Sequence, residues 1–240
     1  MILRLLVIMA LGICISTEIS AAPIRCADNP PKTLDQYIGK EGCLVDDKLF
    51  TFPNMAYNQQ ADNANVMAPA ATQITVIPVE GAPGPGLKFS LTGFGVGGDP
   101  GINQLLDAQI KFTVMDQSGP RIKDTKLTGE NLARLRPASD AASVTERLSN
   151  GINLAVAVAL PMNDRNFDPV QTLDGTLDII LQTGSDATMS HAASIGAVTV
   201  QFSEVPEPTS LLLLVTGLVG LLASEVGGAG RGRRAQRVTH

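Results

Sequence analysis

From residue 108 to residue 115 the chain alternates. Ile110, Phe112 and Val114 are apolar, and Lys111, Thr113 and Met115 occupy the other phase. A period of two sends successive side chains to opposite faces, so this segment is a strand with one buried and one wet face. Further β-rich runs occupy residues 72–79, 86–91, 153–160, 176–182 and 197–202. Between them stand breakers rich in Gly, Pro and Asn: residues 81–86, 97–101, 118–120 and 150–151. Such residues supply the backbone angles of tight turns between antiparallel neighbours. Helices do not alternate with these strands as a parallel α/β sheet requires, so the expectation is a mainly β body, an antiparallel sandwich or jelly roll. Residues 127–148 stay open: a short helix at 130–135, ended at Arg136-Pro137, competes with strands.

The chain has 240 residues, of which 44% are hydrophobic and 17% charged, enough apolar content to exclude wholesale disorder. Its two ends read as addresses. Residues 1–22 open with Arg4, continue through an apolar run at 5–15 and finish in Ser20-Ala21-Ala22, the three regions of a secretory signal peptide. Bulky Ile13 before Cys14 is wrong for a lipoprotein site. Residues 23–204 form the expected extracytoplasmic domain. That body carries 7 Lys and 6 Arg against 20 Asp and Glu, a net charge of −7, which disfavours nucleic acid as a partner.

After removal of the signal only Cys26 and Cys43 remain, an even number in an oxidising compartment, and a disulfide is expected. It would close 16 intervening residues. Loop entropy makes such a link worth about 3 kcal/mol.

The last segment, 205–240, has three parts. Val205, Pro206, Glu207 and Pro208 come first; residues 209–226 follow, with no charge from 210 to 223; Arg231, Arg233, Arg234 and Arg237 close the chain. A helix over 209–226 rises about 1.5 Å per residue and reaches a little under the roughly 30 Å of a hydrocarbon core. The arginines would keep the end cytoplasmic.

This order of motif, span and basic end resembles the PEP-CTERM sorting signal of exported proteins of Gram-negative bacteria. The resemblance implies an exosortase and the export machinery as partners, a transient stay in the inner membrane, cleavage near the Pro-Glu-Pro motif, and release to the cell surface or exopolysaccharide matrix. The body is similar to one group of that family at Thr33-Leu34-Asp35-Gln36-Tyr37-Ile38, at Gly42 to Phe52, at Val144-Thr145-Glu146 and at Gln201-Phe202-Ser203-Glu204. There the resemblance implies a short helix-like piece before a cysteine and a Phe-rich strand after it.

The candidates for chemistry are few. Gly93, Gly95 and Gly98 match a dinucleotide fingerprint formally, but Asp99-Pro100-Gly101 follows where a helix should start, and a Gly-rich turn is expected. His191 is the sole histidine of the body and is read as a solvated loop residue; Ser194 beside it lacks the strand–turn–helix of a nucleophile elbow. A glycosidase pair such as Asp46 with Asp178 would need about 5–10 Å between the carboxyls. In the acidic stretch 163–168, Asp164, Asn166 and Asp168 place oxygen side chains at alternate positions, as in a Ca²⁺ loop, although Pro169 and Gly175 break the EF-hand rule. No cofactor is expected. The sequence reading is therefore an exported, non-catalytic surface or matrix protein, structural or adhesive, with a carbohydrate- or Ca²⁺-binding module and a secreted hydrolase as its alternatives.

Overall fold

The computed structural model describes residues 24–26, 28, 30–40, 42–62, 66, 69–98, 100–119, 121–136 and 138–204. The signal segment, the 205–208 motif, the 209–226 span and the four arginines lie outside them. Among the described residues no helix is long and apolar enough to cross a membrane.

The strands in chain order are β1 (Ile24–Arg25), β2 (Lys32–Thr33), β3 (Cys43–Val45), β4 (Lys48–Thr51), β5 (Tyr57–Ala61), β6 (Thr75–Val79), β7 (Gly86–Ser90) and β8 (Gly95–Gly98). Then come β9 (Leu105–Asp116), β10 (Ile122–Glu130), β11 (Ala133–Arg134), β12 (Ala141–Leu148), β13 (Asn153–Ala157), β14 (Met162–Val170), β15 (Thr172–Gln182), β16 (His191–Ser194) and β17 (Ala197–Glu204). Two single-turn 3₁₀ helices, Leu34–Gln36 and Ala71–Gln73, complete the set.

The large sheet runs β1-β3-β4-β9-β15-β12-β13, with β5 also on β9; a second sheet runs β14-β10-β17-β7-β6-β2, and a small one β11-β16-β8. Pairing between these strands is antiparallel except for β1 on β3. The body is thus mainly β, antiparallel and multi-sheet. The third sheet is an addition to the expected architecture.

The alternation in β9 is realised: Leu106, Ala108, Ile110, Phe112 and Val114 are buried while Lys111 and Met115 are exposed. Opposite them in β15, Leu173, Leu177, Ile179 and Leu181 face the same way. The second sheet supplies Val198, Val200 and Phe202 from β17 and Leu87 and Phe89 from β7. Rings join the two layers: Phe50 and Phe112 of the large sheet lie 6.0 and 6.2 Å from Phe202, and Phe52 lies 6.3 Å from Phe89. These spacings suit tilted and edge-on aromatic pairs. Gly175 is required where β15 passes Phe112, because a Cβ there would stand 2.4 Å from the ring.

Every β-rich run named from the sequence contains a strand, the first shortened by the 3₁₀ turn Ala71–Gln73. Residues 127–148 resolve as the end of β10, then β11 and β12, and the competing helix is absent. Glu146 explains the ambiguity: a carboxylate breaks an otherwise apolar inward phase of Ala142, Val144 and Leu148. Cys26 and Cys43 are bonded, which ties the segment after β1 to β3 with a Cα–Cα distance of 5.3 Å.

Candidate functional site

Three polar arrangements stand out, and each grows from a strand whose inward or outward phase carries an unexpected residue. The first is at the carboxyl end of β17. Lys48 has the same parity as Phe50, so it points inward at the start of β4 and is wholly buried. Its Nζ donates to Asp47 at 2.7 Å, to Asp116 at 3.1 Å and to Glu204. Arg121 adds a bond to Asp47 at 2.6 Å and lies 3.5 Å from Glu204. Burial opposes the ammonium charge, but the bonds to Asp47, Glu204 and Asp116 outweigh it and hold Lys48 more firmly protonated than usual. Asp47 is kept below the ordinary carboxylate range, where Glu204, Lys48 and Arg121 overcome burial; Glu204 is pushed up by burial and by Asp47. One oxygen from each of Asp47, Asp116 and Glu204 falls within 4.8 Å of the others. That is a spacing a metal would accept, and Lys48 fills it as a built-in cation. Beside the cluster, Asp28, Asp46, Asp47, Glu80 and Glu204 line an acidic cleft of about 450 Å³ with Arg25.

The second arrangement is the outer face of the large sheet. Partners across an antiparallel ladder share a face, so the register puts Asn58 and Gln60 of β5 with Gln109 and Asp107 of β9. The same face carries Asp178, Thr176 and Asp174 of β15 and Thr145 and Arg147 of β12. Amides, hydroxyls and charged groups of both signs make a broad hydrogen-bonding surface. Thr113 donates to Asp174 at 2.6 Å, and Arg147 reaches Asp178 at 3.4 Å. Burial and the adjoining Asp178 raise the Asp107 carboxyl above its usual range.

The third is a buried pair. His191, at 3% exposure on β16, bonds Asp140 through Nδ1 at 2.7 Å. Asp140 also accepts from the backbone N–H groups of Arg136, Gly184 and Ala192 at 2.9, 3.0 and 3.1 Å. Burial opposes its charge, yet Gly184, His191, Ala192 and Arg136 together lower it to about 2. The expected solvated loop histidine is therefore corrected: a carboxylate anchored by three amides draws the ring inside.

The remaining sequence candidates separate. Gly95 and Gly98 lie in strand β8 and not in a phosphate-cradling turn before a helix. Ser194 lines a cleft with Gly93 and Asn131, while His191 directs Nδ1 to Asp140 and Ser139 and keeps Nε2 buried without a bonded partner. Asp178 pairs in register with Gln109, whereas Lys48, just past Asp46, pairs with Asp116, seven positions further along β9. At about 3.4 Å per residue that is about 24 Å, far beyond a glycosidase spacing.

The acidic loop is a correction too: Met162–Val170 is strand β14 at the edge of the second sheet. Asp164 and Asn166 are exposed on one side of it, about 7 Å apart, and Asp168 is exposed where the ladder to β10 shifts register, so the three lie along a strand and not in a loop. Lys126 stands opposite Asp164 in the ladder. Pro169 fits because an edge strand leaves one row of amides unpaired. Lys48 and Glu146 were missed as site residues; each shares the parity of its apolar neighbours, but a charge in that phase reads as an outward residue until the layers are assembled.

No protein-family profile matches the chain, and no curated protein matches it. Among solved structures, the family 11 carbohydrate-binding module of the cellulosomal cellulase Lic26A-Cel5E of Clostridium thermocellum is similar at 10% identity. The alignment covers 63% of this chain and 89% of that one with a TM-score of 0.22. The family 11 module of the same organism in complex with a β-1,3-1,4-mixed-linked tetrasaccharide is similar at 8% identity. It covers 62% and 86% of the two chains with a TM-score of 0.23.

Proposed function

We propose that residues 23–204 are an extracytoplasmic, non-catalytic β domain that binds polysaccharide, and that the tail delivers it to the cell surface or exopolysaccharide matrix. The observation that carries the binding role is the outer face of the large sheet. Asn58, Gln60, Gln109, Thr145 and Arg147 present donors and acceptors side by side on a rigid ladder. Sugar hydroxyls need this mixture, and a sheet face suits an extended chain better than a small substrate. The distance between Asp46 and Asp178 speaks against the glycosidase pair the sequence offered. Export is supported by the signal-like start and by the Cys26–Cys43 bond, which belongs in an oxidising compartment. Cleavage at Pro206–Glu207–Pro208 by an exosortase, with a transient inner-membrane stage, is the route the tail's resemblance suggests.

The test is co-sedimentation with insoluble polysaccharide, wild type beside N58A/Q109A. Retention of the wild type and its loss in the double variant is the expected result. Equal sedimentation of both would remove the sheet face from the function, and no sedimentation of the wild type on host exopolysaccharide would remove the function itself.

A further inference from the structure

Three carboxyl groups at the centre of the large sheet each leave one oxygen buried without a donor. Glu146 points from β12 into the core and is wholly buried. It faces Leu154 of β13 on one side and Leu177 of β15 on the other. Across the layers, Thr125 of β10 donates to its Oε2 at 2.9 Å, while Oε1 is buried without a donor. No Lys, Arg or His bonds it among the described residues. On the opposite face of the same strands, Asp178 lies diagonal to Asp107 across the β9–β15 ladder. The Oδ1 atoms of both are buried without a donor. Around this pair stand Gln109 and Lys111 on β9, Thr145 and Arg147 on β12, and Gln60 on β5; Arg147 reaches Asp178 at 3.4 Å from a largely exposed position. A buried carboxylate oxygen without a donor is costly, and a second carboxylate within reach favours a proton on one of the two.

We propose that these groups make the sheet a pH-sensitive clasp: Glu146, and Asp107 beside Asp178, hold protons in the folded state and release them as pH rises. The centre of the large sheet, β12–β15–β9, is then tightest in mildly acidic surroundings and loosens towards and above neutrality.

The electrostatics agree in sign. Burial, opposed only by Thr125, raises Glu146 from 4.5 to about 7, and burial with Asp178 raises Asp107. A carboxyl whose folded value exceeds its unfolded value stabilises fully below the unfolded value and loses that contribution as pH rises through the folded one. For Glu146 the window is 4.5 to about 7.

The experiment measures urea midpoints of the full chain in non-ionic detergent, from below to above that window, for wild type, Glu146→Gln and Asp178→Asn. Hydrogen exchange of the β12 and β15 amides, corrected for intrinsic rate, is followed in parallel. Subtracting E146Q from wild type isolates this carboxyl from the other titrating groups of the chain. The expected result is a wild-type midpoint that falls across the window relative to E146Q, with protection of β12 and β15 falling alongside. Asp178→Asn removes the remaining dependence contributed by the pair. A pH-independent difference between wild type and E146Q overturns the role of Glu146, and a D178N slope equal to wild type overturns that of the pair. Where E146Q does not fold, T125V/E146L replaces it, since that change removes both polar partners together.

Discussion

Replacing Lys48 by Met tests whether the cluster at the end of β17 is held by a built-in cation. The ammonium lies 2.7 and 3.1 Å from two carboxylates and bonds a third. At an effective dielectric near 20, each of the first two contacts is worth roughly 5–6 kcal/mol before desolvation. Burying the ions costs several kcal/mol each, so the net value of the cluster is much smaller than that sum. Removing only the cation is a different matter, because it leaves Asp47, Asp116 and Glu204 facing Arg121 alone. Loss of one partner from a buried ion group costs about 3–5 kcal/mol, and that is the expected loss in K48M at pH 7.

The sign of the pH dependence follows. In the wild type the lowered Asp47 carboxyl contributes stability above its ordinary value of 3.8, and that contribution is lost as pH falls through the lower folded value. In K48M the same carboxylates repel, so acid relieves the variant, whereas in the wild type acid removes the Asp47 contribution and the raised Glu204 offsets only part of that loss. Urea unfolding at pH 7 and at roughly pH 3.5, with the disulfide intact, reads both effects. The reasoning fails if K48M lies within about 1 kcal/mol of wild type at pH 7. It fails equally if the gap between them does not narrow in acid.

Gly175→Ala places a methyl group 2.4 Å from the Phe112 ring, which is itself packed on Phe202. It should cost about 1–3 kcal/mol by overpacking, and F112L in the same chain should recover part of that, as read by a double-mutant cycle of urea midpoints. Equal stability of G175A and wild type would show that the layers yield there. Pro206→Ala with Pro208→Ala should keep the carboxyl-terminal segment on the protein in its native host. Intact mass of the medium and membrane fractions measures this, and equal release of variant and wild type would discard the sorting assignment.

How far the sequence could be read depends on which face a residue serves. In β9 the inward positions from Leu106 to Val114 are apolar and only the last, Asp116, is charged, so the strand and its wet face follow from period alone. The Cys26–Cys43 link was readable because two cysteines in one compartment leave a single pairing. Lys48 and Glu146 occupy inward phases of β4 and β12, where a charged residue reads as outward, so both sites were hidden by the rule that finds strands. Their partners, Asp116 and Thr125, lie 68 and 21 residues away, and only the layering of the sheets joins them. His191 failed for a similar reason, since its anchor Asp140 depends on three backbone amides that no composition or spacing reveals. In β14, a polar strand with an internal proline resembles a loop until β10 supplies its ladder.

The position of β17 has a mechanical consequence. It is flanked by β10 and β7, seven of its eight residues are buried, and Lys48 grips Glu204 where the chain continues towards the tail. A pull applied beyond Glu204 is therefore directed along the axis of a central strand. The ladder bonds to both neighbours then carry the load together in shear, where a pull across an edge strand would break them one after another. A domain tethered by this end, whether to a membrane or to a polymer network, takes tension at one of its most strongly braced points.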